Sequence, residues 1–450
     1  MIKLREPIIA IATPYGESAI GMLRISGSGI LEKVKRYVSI KGELKPRYAH
    51  FFRLLDEDGK VLDEGIFIYY KAPASYTGED MIEMCLHGNP LILKRAIEIF
   101  LREGIRLAEP GEFTKRAFLN GKMDITQAEA VADLISAKTD LARQVALRQL
   151  SGELSNYIAP LREKLLDLLA YVEADIEFSE QDIPTITNKE MLSILENIRE
   201  NIEGLVSTVK MGEYIRRGIN LAIVGKPNVG KSSLFNALLG KNRAIVTDIP
   251  GTTRDFLQEQ MHMEGIPINL VDTAGIRETH DHVEKIGIQK SIENIESADL
   301  VLFVVDCSKP LEKDDWDVYN LVKKKDHIKV LNKMDLGRDP SVIKIFSDGI
   351  CVSAKTGEGI ERLRKVMLEK VGVFGYDSMK VYVSTRHADL LTKSLKVIRP
   401  LINKLGREEI STEILALELR EALNYLDEIV GAITTEDMLN AIFSRFCIGK

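Results

Sequence analysis

The sequence predicts an α/β chain with added α and α+β parts: a doubly wound domain inserted into a discontinuous helical bundle, preceded by an α+β domain. Three patterns predict this. Short strand-like runs divided by turn residues fill positions 1–118, apolar residues recur at helical spacing in 119–212 and 376–450, and buried strands alternate with helices in 213–375. A length of 450 residues agrees with two to four domains.

The composition is that of an ordinary globular protein, with 45% hydrophobic and 28% charged residues. No apolar run approaches the ~18 residues of a membrane span, and we expect a cytoplasmic protein with no membrane contact. The four cysteines lack a Cys-x-x-Cys spacing, which favours reduced thiols over a zinc site. A net charge of −6 argues against nucleic-acid binding through overall charge, so any such contact must be local or shared with another subunit.

The first 118 residues contain apolar runs of strand length separated by Gly, Pro and Asp. This mixture predicts a compact α+β domain. Its one predicted helix is Pro90–Arg102, and its predicted strands lie in Ile8–Ala12, Gly21–Ile25, Ile66–Tyr70 and Met81–Leu86. Nothing in the periodicity identifies a ligand.

Helical spacing begins at Asp124, which forms a capping-box pattern with Gln127. Apolar residues then advance by three and four along 154–172 and 191–205, and again only after residue 386. Two half-sets of helices on either side of another domain indicate one bundle with an insertion; two separate helical hairpins are the alternative. Pro160 predicts a kink or a restart in one helix.

The stretch Gly225–Ser233 fills every fixed position of the phosphate-loop pattern and follows the apolar run Asn220–Val224. Its backbone N–H groups and the start of the next helix would converge on a phosphate chain. Lys231 would neutralise the β- and γ-phosphates, and Ser232 would hold Mg²⁺. The alternative, a surface turn, is disfavoured by the strand before the loop and the helix after it. The expected nucleotide contacts are Asn228, Val229, Gly230, Lys231, Ser232 and Ser233.

Further loops follow predicted strands at the same sheet edge. Asp272-Thr273-Ala274-Gly275 would reach Mg²⁺ through water and the γ-phosphate through a glycine N–H. In Asn332-Lys333-Met334-Asp335, the Asp335 carboxylate can accept hydrogen bonds from N1 and the exocyclic amine of guanine, whereas adenine offers the wrong donor pattern. Ser353-Ala354-Lys355 would support the base edge through its backbone. Together these motifs predict a Ras-like domain that binds GTP.

A switch-like loop, Thr247–Asp255, lies between the phosphate loop and Asp272. Thr253 is its candidate Mg²⁺ ligand when the γ-phosphate is present. The nucleotide contacts expected in this loop are Thr247, Thr252 and Thr253.

The hydrolytic machinery departs from the common pattern, because Ile276 and Arg277 follow Gly275 where a glutamine often orients the attacking water. An apolar side chain cannot polarise water, so hydrolysis is slow or another group acts. Asn228, with carbonyls of the switch loop, could ligate a monovalent cation beside the phosphates. Glu284 could orient the water, although the residues alone favour a solvated helix charge for it.

Longer motifs are more specific. They are Gly251-Thr252-Thr253-Arg254-Asp255, Ala12–Pro14, Gly21–Gly27, Pro110–Lys122 and the terminal Phe446–Lys450. Together they resemble the MnmE family, also called TrmE, of tRNA modification GTPases. The similarity spans the whole chain, and composition or spacing alone would not have indicated tRNA.

The resemblance implies a folate-binding and dimerisation domain at 1–118, helical parts at 119–212 and 376–450, and an inserted GTPase domain at 213–375. With an FAD-containing partner, MnmG, the family adds an aminomethyl or carboxymethylaminomethyl group to C5 of the wobble uridine of tRNA. A tetrahydrofolate derivative is the implied one-carbon donor. The resemblance further implies a homodimer whose GTPase domains are activated by K⁺-dependent dimerisation.

The same resemblance assigns roles to individual residues. The implied K⁺ ligands are Asn228 and the carbonyls of Thr247, Ile249 and Thr252; the implied Mg²⁺ ligands are Ser232 and Thr253; and Glu284 would position the water. The implied folate contacts are Arg24, Glu83, Lys122 and Lys450. Cys447 would lie beside the folate pocket, either as a catalytic nucleophile or as part of its wall.

Two other functions compete with tRNA modification. A ribosome-assembly GTPase that signals by nucleotide state would use a similar phosphate loop, but the sequence shows no appended basic RNA-binding domain. A regulatory switch would suit slow hydrolysis, and the dependence of its rate on K⁺ would separate it from the first function.

Overall fold

The computed structural model describes residues 6–177, 186–240, 260–271, 295–372 and 381–450. These residues contain a seven-stranded sheet, a six-stranded sheet and two groups of helices. No helix in the described ranges combines the length and the apolar character that crossing a bilayer would require.

The N-terminal sheet has the strand order β3-β4-β5-β6-β2-β1-β7 and is antiparallel except for the β1–β7 pair. Helices α1 (Ile30–Val34) and α2 (Pro90–Arg102) cover it, and α3 (Glu112–Leu119) follows it. The strands are β1 (Ile8–Ile11), β2 (Ser18–Ser26), β3 (Val38–Ile40), β4 (Ala49–Leu55), β5 (Val61–Tyr70), β6 (Met81–Gly88) and β7 (Arg106–Leu107). The four predicted strands and the predicted helix are confirmed, whereas β3, β4 and β7 carry no sufficient sequence signal.

Helix α2 illustrates why this segment is helical. The side chain of Asn89 accepts a hydrogen bond from the Leu91 N–H, and Pro90 at the first position has no N–H to satisfy. The residues that α2 buries against the sheet are spaced by three and four: Leu93, Ala96, Ile99 and Phe100.

The second group of helices begins with the predicted capping box, because the Asp124 side chain and Gln127 exchange both hydrogen bonds. Helix α6 continues through Pro160 without restarting. Proline 160 lies on the exposed face, where water can satisfy the carbonyl that loses its helical N–H. The helices before the second sheet are α4 (Ile125–Ser136), α5 (Asp140–Leu150), α6 (Glu153–Glu177), α7 (Asn188–Ser207) and α8 (Val209–Arg217).

The second sheet has the order β13-β12-β11-β8-β10-β9. Its strands are β8 (Ile219–Val224), β9 (Gln260–Met263), β10 (Ile266–Val271), β11 (Leu300–Asp306), β12 (His327–Asn332) and β13 (Ile350–Cys351). Its helices are α9 (Lys231–Leu239), α10 (Lys313–Val322), α11 (Pro340–Ile345) and α12 (Ile360–Val371). Because the central strands are parallel, their carboxyl ends share one edge.

The parallel arrangement ends at one edge of this sheet. Strand β9 runs antiparallel to β10, and the two are joined through Glu264 and Gly265, which have φ values of 48° and 79°. A two-residue turn with positive φ at both positions matches the twist of an antiparallel hairpin. At the opposite edge β13 is short, since only Ile350–Cys351 pairs with β12.

The chain returns to the helical group as α13 (Thr385–Gly406), α14 (Thr412–Val430) and α15 (Glu436–Phe443). Apolar side chains of α6 and α7 share one buried cluster with those of α13 and α14. The chain segments that lead into and out of the second sheet lie side by side. A Cβ on Gly212 in α8 would stand 2.9 Å from the Val383 carbonyl oxygen.

The final residues dock on the N-terminal domain. The Phe113 N–H donates to the Lys450 carbonyl at 3.2 Å, and Arg24 Nη1 donates to the Gly449 carbonyl at 3.1 Å. Gly449 has a φ of 99°, and a Cβ there would lie 2.4 Å from the Ile11 carbonyl oxygen, so that this position requires glycine.

Arg116, at 1% exposure, is the largest fully buried side chain. Its guanidinium lies 2.9 Å from Glu112 Oε1 and 3.0 Å from Glu79 Oε2, and it donates to the Glu6 carbonyl at 2.7 Å. Glu112 also pairs with Arg106 at 2.6 Å. This network joins α3 to the loop before β6 and to the chain before β1.

Replacing Arg116 by methionine should lower the free energy of unfolding by about 3 kcal/mol or more, because buried carboxylates then lose a cation. Arg53→Met is the matched control: Arg53 lies 2.7 Å from Glu64, but the two side chains are 55% and 43% exposed. We expect that control to lose less than about 1 kcal/mol. Urea unfolding followed by circular dichroism measures both losses, and equal losses would contradict the importance of the buried network.

The network also makes this stability depend on pH. Burial alone would raise the pKa of Glu112, but hydrogen bonds from Arg106, the Glu109 N–H and Arg116 lower it. A carboxyl with a depressed folded-state pKa stabilises the fold above its unfolded pKa, and the contribution is lost as the pH falls through the folded value. The difference between wild type and Arg116→Met should therefore shrink as the pH falls below about 4.

Candidate functional site

The phosphate loop lies where the sequence predicts it, between β8 and α9. Asn228 and Gly230 have φ values of 62° and 95°, and α9 begins at Lys231. A Cβ on Gly225 would lie 2.3 Å from the Val304 carbonyl oxygen, and one on Gly230 would lie 2.4 Å from Asn332 Nδ2. The loop is therefore pressed against β11 and the end of β12, at the edge where the parallel strands end.

The Lys231 ammonium is held inside this loop. Its Nζ donates to the carbonyls of Gly225 at 2.9 Å and Lys226 at 3.0 Å. Ser232 is half-buried at the start of α9, and Ser233 is exposed beside it. The loop thus places an ammonium and a hydroxyl together at a helix N-terminus, the combination that suits a phosphate and its metal ion.

Asn332 connects the phosphate loop to the loop after β13. Its side chain is buried, with Nδ2 donating to the Val229 carbonyl at 2.8 Å and Oδ1 accepting from the Ala354 N–H at 3.0 Å. One amide therefore satisfies a donor and an acceptor in two separate loops. This fixes the distance between the phosphate end and the base end of the predicted nucleotide site.

Lys333 also stabilises the contact between the phosphate loop and the end of β12. It has a φ of 65°, its Nζ donates to the Asn228 carbonyl at 2.6 Å, and it lies 2.8 Å from the Asp306 carboxylate. Burial would raise the pKa of Asp306, but hydrogen bonds from Lys333 and Ser308 lower it. The Lys333–Asp306 pair is therefore ionised and holds Asn228 at the rim of the loop.

Asp335 is exposed and oriented. The buried Ser353 hydroxyl donates to Asp335 Oδ1 at 2.7 Å and accepts from the Thr356 N–H at 3.1 Å. This hydrogen bond fixes one oxygen of a carboxylate that belongs to an exposed residue. Lys355 is exposed next to Ala354, as a base-edge loop requires.

Several predicted residues lie outside the described ranges: Thr247, Ile249, Thr252, Thr253, Asp272, Thr273, Ala274, Gly275 and Glu284. Strand β10 is parallel to β8 and ends at Val271, directly before Asp272. The described part of β10 therefore ends at the same sheet edge as β8, where the phosphate loop begins.

A second cavity, of about 520 Å³, opens on the N-terminal domain. It brings Glu83 and Lys122 together, and Glu83 pairs with Arg24 at 2.7 Å. Burial lowers the pKa of Lys450, and the nearby Arg24 lowers it further while Glu83 opposes. The four predicted folate contacts are thus gathered at one place by β2, β6, the chain after α3 and the C-terminal tail.

Sequence reasoning missed the other residues that line this cavity, among them Arg47, Tyr70 and Tyr76. Tyr70 Oη donates to Glu83 Oε2 at 3.1 Å, and burial, then Glu83, raises the pKa of Tyr70. Two aromatic rings, a carboxylate and cationic side chains suit a planar heterocycle with hydrogen-bonding edges and an acidic tail. The only sequence signal at Arg47 is that a basic residue lies close to aromatic ones.

Two family models match the chain. The model described as the GTP-binding protein TrmE N-terminus matches residues 7–122, and that of the MnmE helical domain matches residues 125–447. The chain belongs to the MnmE family.

Curated relatives agree over the full length of the chain. A tRNA modification GTPase MnmE from Aquifex aeolicus is 59% identical over 448 residues, covering 99% of this chain and 100% of that protein. Proteins of the same name are 41% identical in Thermotoga sp. strain RQ2 over 99% of this chain, and 43% identical in Koribacter versatilis over 100%, each covered completely. A solved FeoB G domain from Methanococcus jannaschii is 30% identical over 34% of this chain and 98% of that chain, with a TM-score of 0.26 that is too low to bear on the fold.

Cys447 is not among the residues that line the cavity of Glu83 and Lys122. Its exposed thiol lines a separate cleft of about 870 Å³ between the helical group and the tail. This cleft also contains Arg216, Arg386 and Arg445. The sequence contained no local pattern for it, because its walls come from α4, α8, α13 and α15.

Proposed function

We propose that this MnmE-family chain binds and hydrolyses GTP and couples that activity to tRNA modification in the cytoplasm. The observation that carries the proposal is the Asn332 bridge, which joins the phosphate loop to a base loop where Ser353 orients the Asp335 carboxylate. The names of full-length relatives support the tRNA substrate. In this proposal, the GTPase domain at 213–375 is inserted between helical parts 119–212 and 376–450, which the adjacent positions of Gly212 and Val383 support.

In this mechanism Asp335 recognises the base. Its carboxylate accepts from guanine N1–H and the exocyclic amine, while the Ser353 hydroxyl prevents it from turning away. The Lys231 ammonium exchanges its loop carbonyls for phosphate oxygens when GTP binds.

Asp335→Asn should weaken GTP binding by about 100-fold or more, since two hydrogen bonds to a charged acceptor are lost. The same variant should gain affinity for xanthosine triphosphate, whose C2 carbonyl accepts from the new amide. Isothermal titration with both nucleotides measures the exchange, and Asp317→Asn on the exposed side of α10 is the control. Unchanged GTP affinity in Asp335→Asn would contradict the assignment of the base site.

Hydrolysis requires groups that compensate for the absent glutamine. We assign Mg²⁺ to Ser232 and Thr253, K⁺ to Asn228 with the carbonyls of Thr247, Ile249 and Thr252, and the positioning of water to Glu284. Asn228 is suited to its role because the Lys333 contact fixes its backbone at the rim of the loop. A cation placed there supplies positive charge beside the transferring phosphate.

Asn228→Gly should abolish the dependence of GTP hydrolysis on K⁺ while leaving GTP affinity nearly unchanged. Glycine removes the amide and tolerates the φ of 62°. In wild type, exchange of KCl for NaCl should lower the rate at least ~10-fold, the size expected for one lost electrostatic contact in the transition state. A wild-type rate that did not respond to the exchange would remove K⁺ from the mechanism.

The N-terminal cavity is the proposed folate site. Glu83 is held by Arg24 and Tyr70 so that it can accept from the heterocycle, and Lys122 and Arg47 face the same space as partners for the acidic tail. We propose that a bound tetrahydrofolate derivative supplies the one-carbon unit. The chain would act as a homodimer with the FAD-containing MnmG to add an aminomethyl or carboxymethylaminomethyl group to C5 of the wobble uridine.

Calorimetric titration of 5-formyltetrahydrofolate into the full-length protein tests this site. We expect saturable binding that Glu83→Gln weakens about 10-fold or more through the loss of a charged acceptor. Glu64→Gln on the neighbouring strand is the control, because Glu64 pairs only with the exposed Arg53 among the described residues. Absence of binding to wild type would remove the folate role and leave the GTPase assignment standing.

A further inference from the structure

The phosphate loop contains a second lysine, Lys226, whose side chain pairs with the start of α10. Its Nζ lies 2.7 Å from Asp315 Oδ2 and 2.9 Å from Glu312 Oε2. Both partners are carboxylates, so they neutralise the ammonium and fix its direction. A cation within the phosphate loop is thus bound to a helix of the same domain.

The two carboxylates contribute unequally to this contact. The Asp315 side chain is 3% exposed, whereas that of Glu312 is 68% exposed. Water screens an exposed ion pair, which therefore contributes little. Loss of one member of a buried pair leaves the other charge buried and uncompensated, which is unfavourable. Asp315 is therefore the main anchor of Lys226.

Asp315 is itself held in place by the first turn of α10. Its Oδ2 also accepts from the Glu312 N–H at 2.9 Å, as part of the capping box of this helix. Its Oδ1 is buried and has no hydrogen-bond partner in the described part of the chain. Burial alone would lower the pKa of Lys226, but hydrogen bonds to Asp315 and Glu312 raise it. The ammonium is therefore charged, and the helix cap determines its position.

The backbone of Lys226 leads directly to Asn228. The Lys226 carbonyl accepts from Lys231 Nζ at 3.0 Å. Pro227 follows, and its ring fixes its own φ. Asn228 then has a φ of 62°, in a region that a residue other than glycine occupies only where the surrounding structure holds it. A displacement of Lys226 is therefore transmitted through a stiff proline to Asn228.

The two halves of the phosphate loop have separate anchors. In the half that leads into α9, the Val229 carbonyl accepts from the buried Asn332 side chain at 2.8 Å. In the half before Asn228, the anchor is the Lys226–Asp315 pair. If that pair is broken, Asn228 keeps the Lys333 contact to its carbonyl but loses the anchor on its N-terminal side. The half that begins the helix keeps its own anchor.

We propose that Lys226 and Asp315 form a positioning pair for GTP hydrolysis, which holds Asn228 where its side-chain amide can ligate a monovalent cation. The inference rests on the proposed K⁺ role of Asn228 and extends it to two residues that act through the loop backbone. Because the other half of the loop is anchored independently, the pair acts on the rate of hydrolysis and on the response to K⁺, with little effect on nucleotide affinity.

Lys226→Met tests the pair, since methionine keeps an apolar stem and removes the ammonium. GTP hydrolysis is measured across a KCl series at constant ionic strength, and GDP affinity is measured by isothermal titration. We expect kcat to fall about tenfold and the K⁺ concentration for half-maximal rate to rise, because a misplaced group weakens transition-state contacts. GDP affinity should stay within about threefold of wild type, as expected when ground-state binding is retained.

Two further lysine variants are the controls. Lys329 lies 2.9 Å from Asp348 in the same sheet and is 16% exposed, as is Lys226. Lys329→Met should therefore leave kcat, the K⁺ response and GDP affinity unchanged. Lys226→Arg should restore the wild-type rate and K⁺ response, because a guanidinium can pair with the same carboxylates.

Asp315→Asn tests the other member of the pair without leaving a buried charge. Its amide oxygen still accepts from the Glu312 N–H, so the cap of α10 is retained even if Lys226→Met is too unstable to assay. We expect kcat to fall at least about threefold with GDP affinity retained, because the charged acceptor of Lys226 is lost. The double variant should be no slower than the slower single variant, since both changes remove one contact.

The wild-type and variant measurements separate this inference from the function on which it rests. A wild-type rate that did not respond to K⁺ would refute the role of Asn228 and the positioning pair together. A K⁺-dependent wild type with unaffected Lys226→Met and Asp315→Asn would refute the pair alone. Equal losses of GTP and GDP affinity at unchanged kcat would also overturn it, because Lys226 would then be acting on nucleotide binding.

Discussion

The return of the C-terminal tail to the N-terminal domain is the contact on which the arrangement of this molecule depends. Arg24 donates to the Gly449 carbonyl and Phe113 to the Lys450 carbonyl, and these pairs join positions more than 300 residues apart. Closing so long a loop costs chain entropy, but the cost grows only slowly with length. The apolar cluster that joins Phe446 and Phe443 to Ile125 stabilises the closure. With both ends held, the two half-sets of helices pack into one core.

The second sheet is coupled to the helices by more than its covalent connections. Ala142 of α5 is buried in the same apolar cluster as the strands of this sheet, and a Cβ on Gly265 would lie 3.1 Å from Leu141 Cβ. Arg217 pairs with Asp299 beside the entry into β8. The β9–β10 hairpin therefore touches α5 at one end and leads into Asp272 at the other. Helix α4, which precedes α5 in the chain, carries Glu129 and Asp133 of the Cys447 cleft. A continuous set of packed elements therefore joins the sheet edge that holds the phosphate loop to that cleft.

Local sequence was sufficient wherever function depends on contiguous residues. The phosphate loop, the Asp335 loop and the Asp124 capping box lie as predicted because turn geometry and strand ends determine them. Strand β9 was not predicted, because Gln260–Met263 is a short segment that mixes polar and apolar residues and reaches its partner strand through a two-residue turn. The restart that was one of the two outcomes expected at Pro160 does not occur, because α6 continues through the proline. The Cys447 cleft and the position of Arg47 in the N-terminal cavity could not be predicted, because the walls of both cavities are formed by segments that are distant in sequence.

The docking of residues 449 and 450 also has a consequence in time. Arg24, which pairs with Glu83, receives its tail partner Gly449 only 366 residues after Glu83 is synthesised, which corresponds to roughly 20–70 s of translation. Throughout that interval the N-terminal domain can form its sheet, but Arg24 lacks the Gly449 carbonyl and the Phe113 N–H lacks the Lys450 carbonyl. In a nascent chain this contact between the N-terminal domain and the tail therefore forms only after the helices that precede the tail have been synthesised.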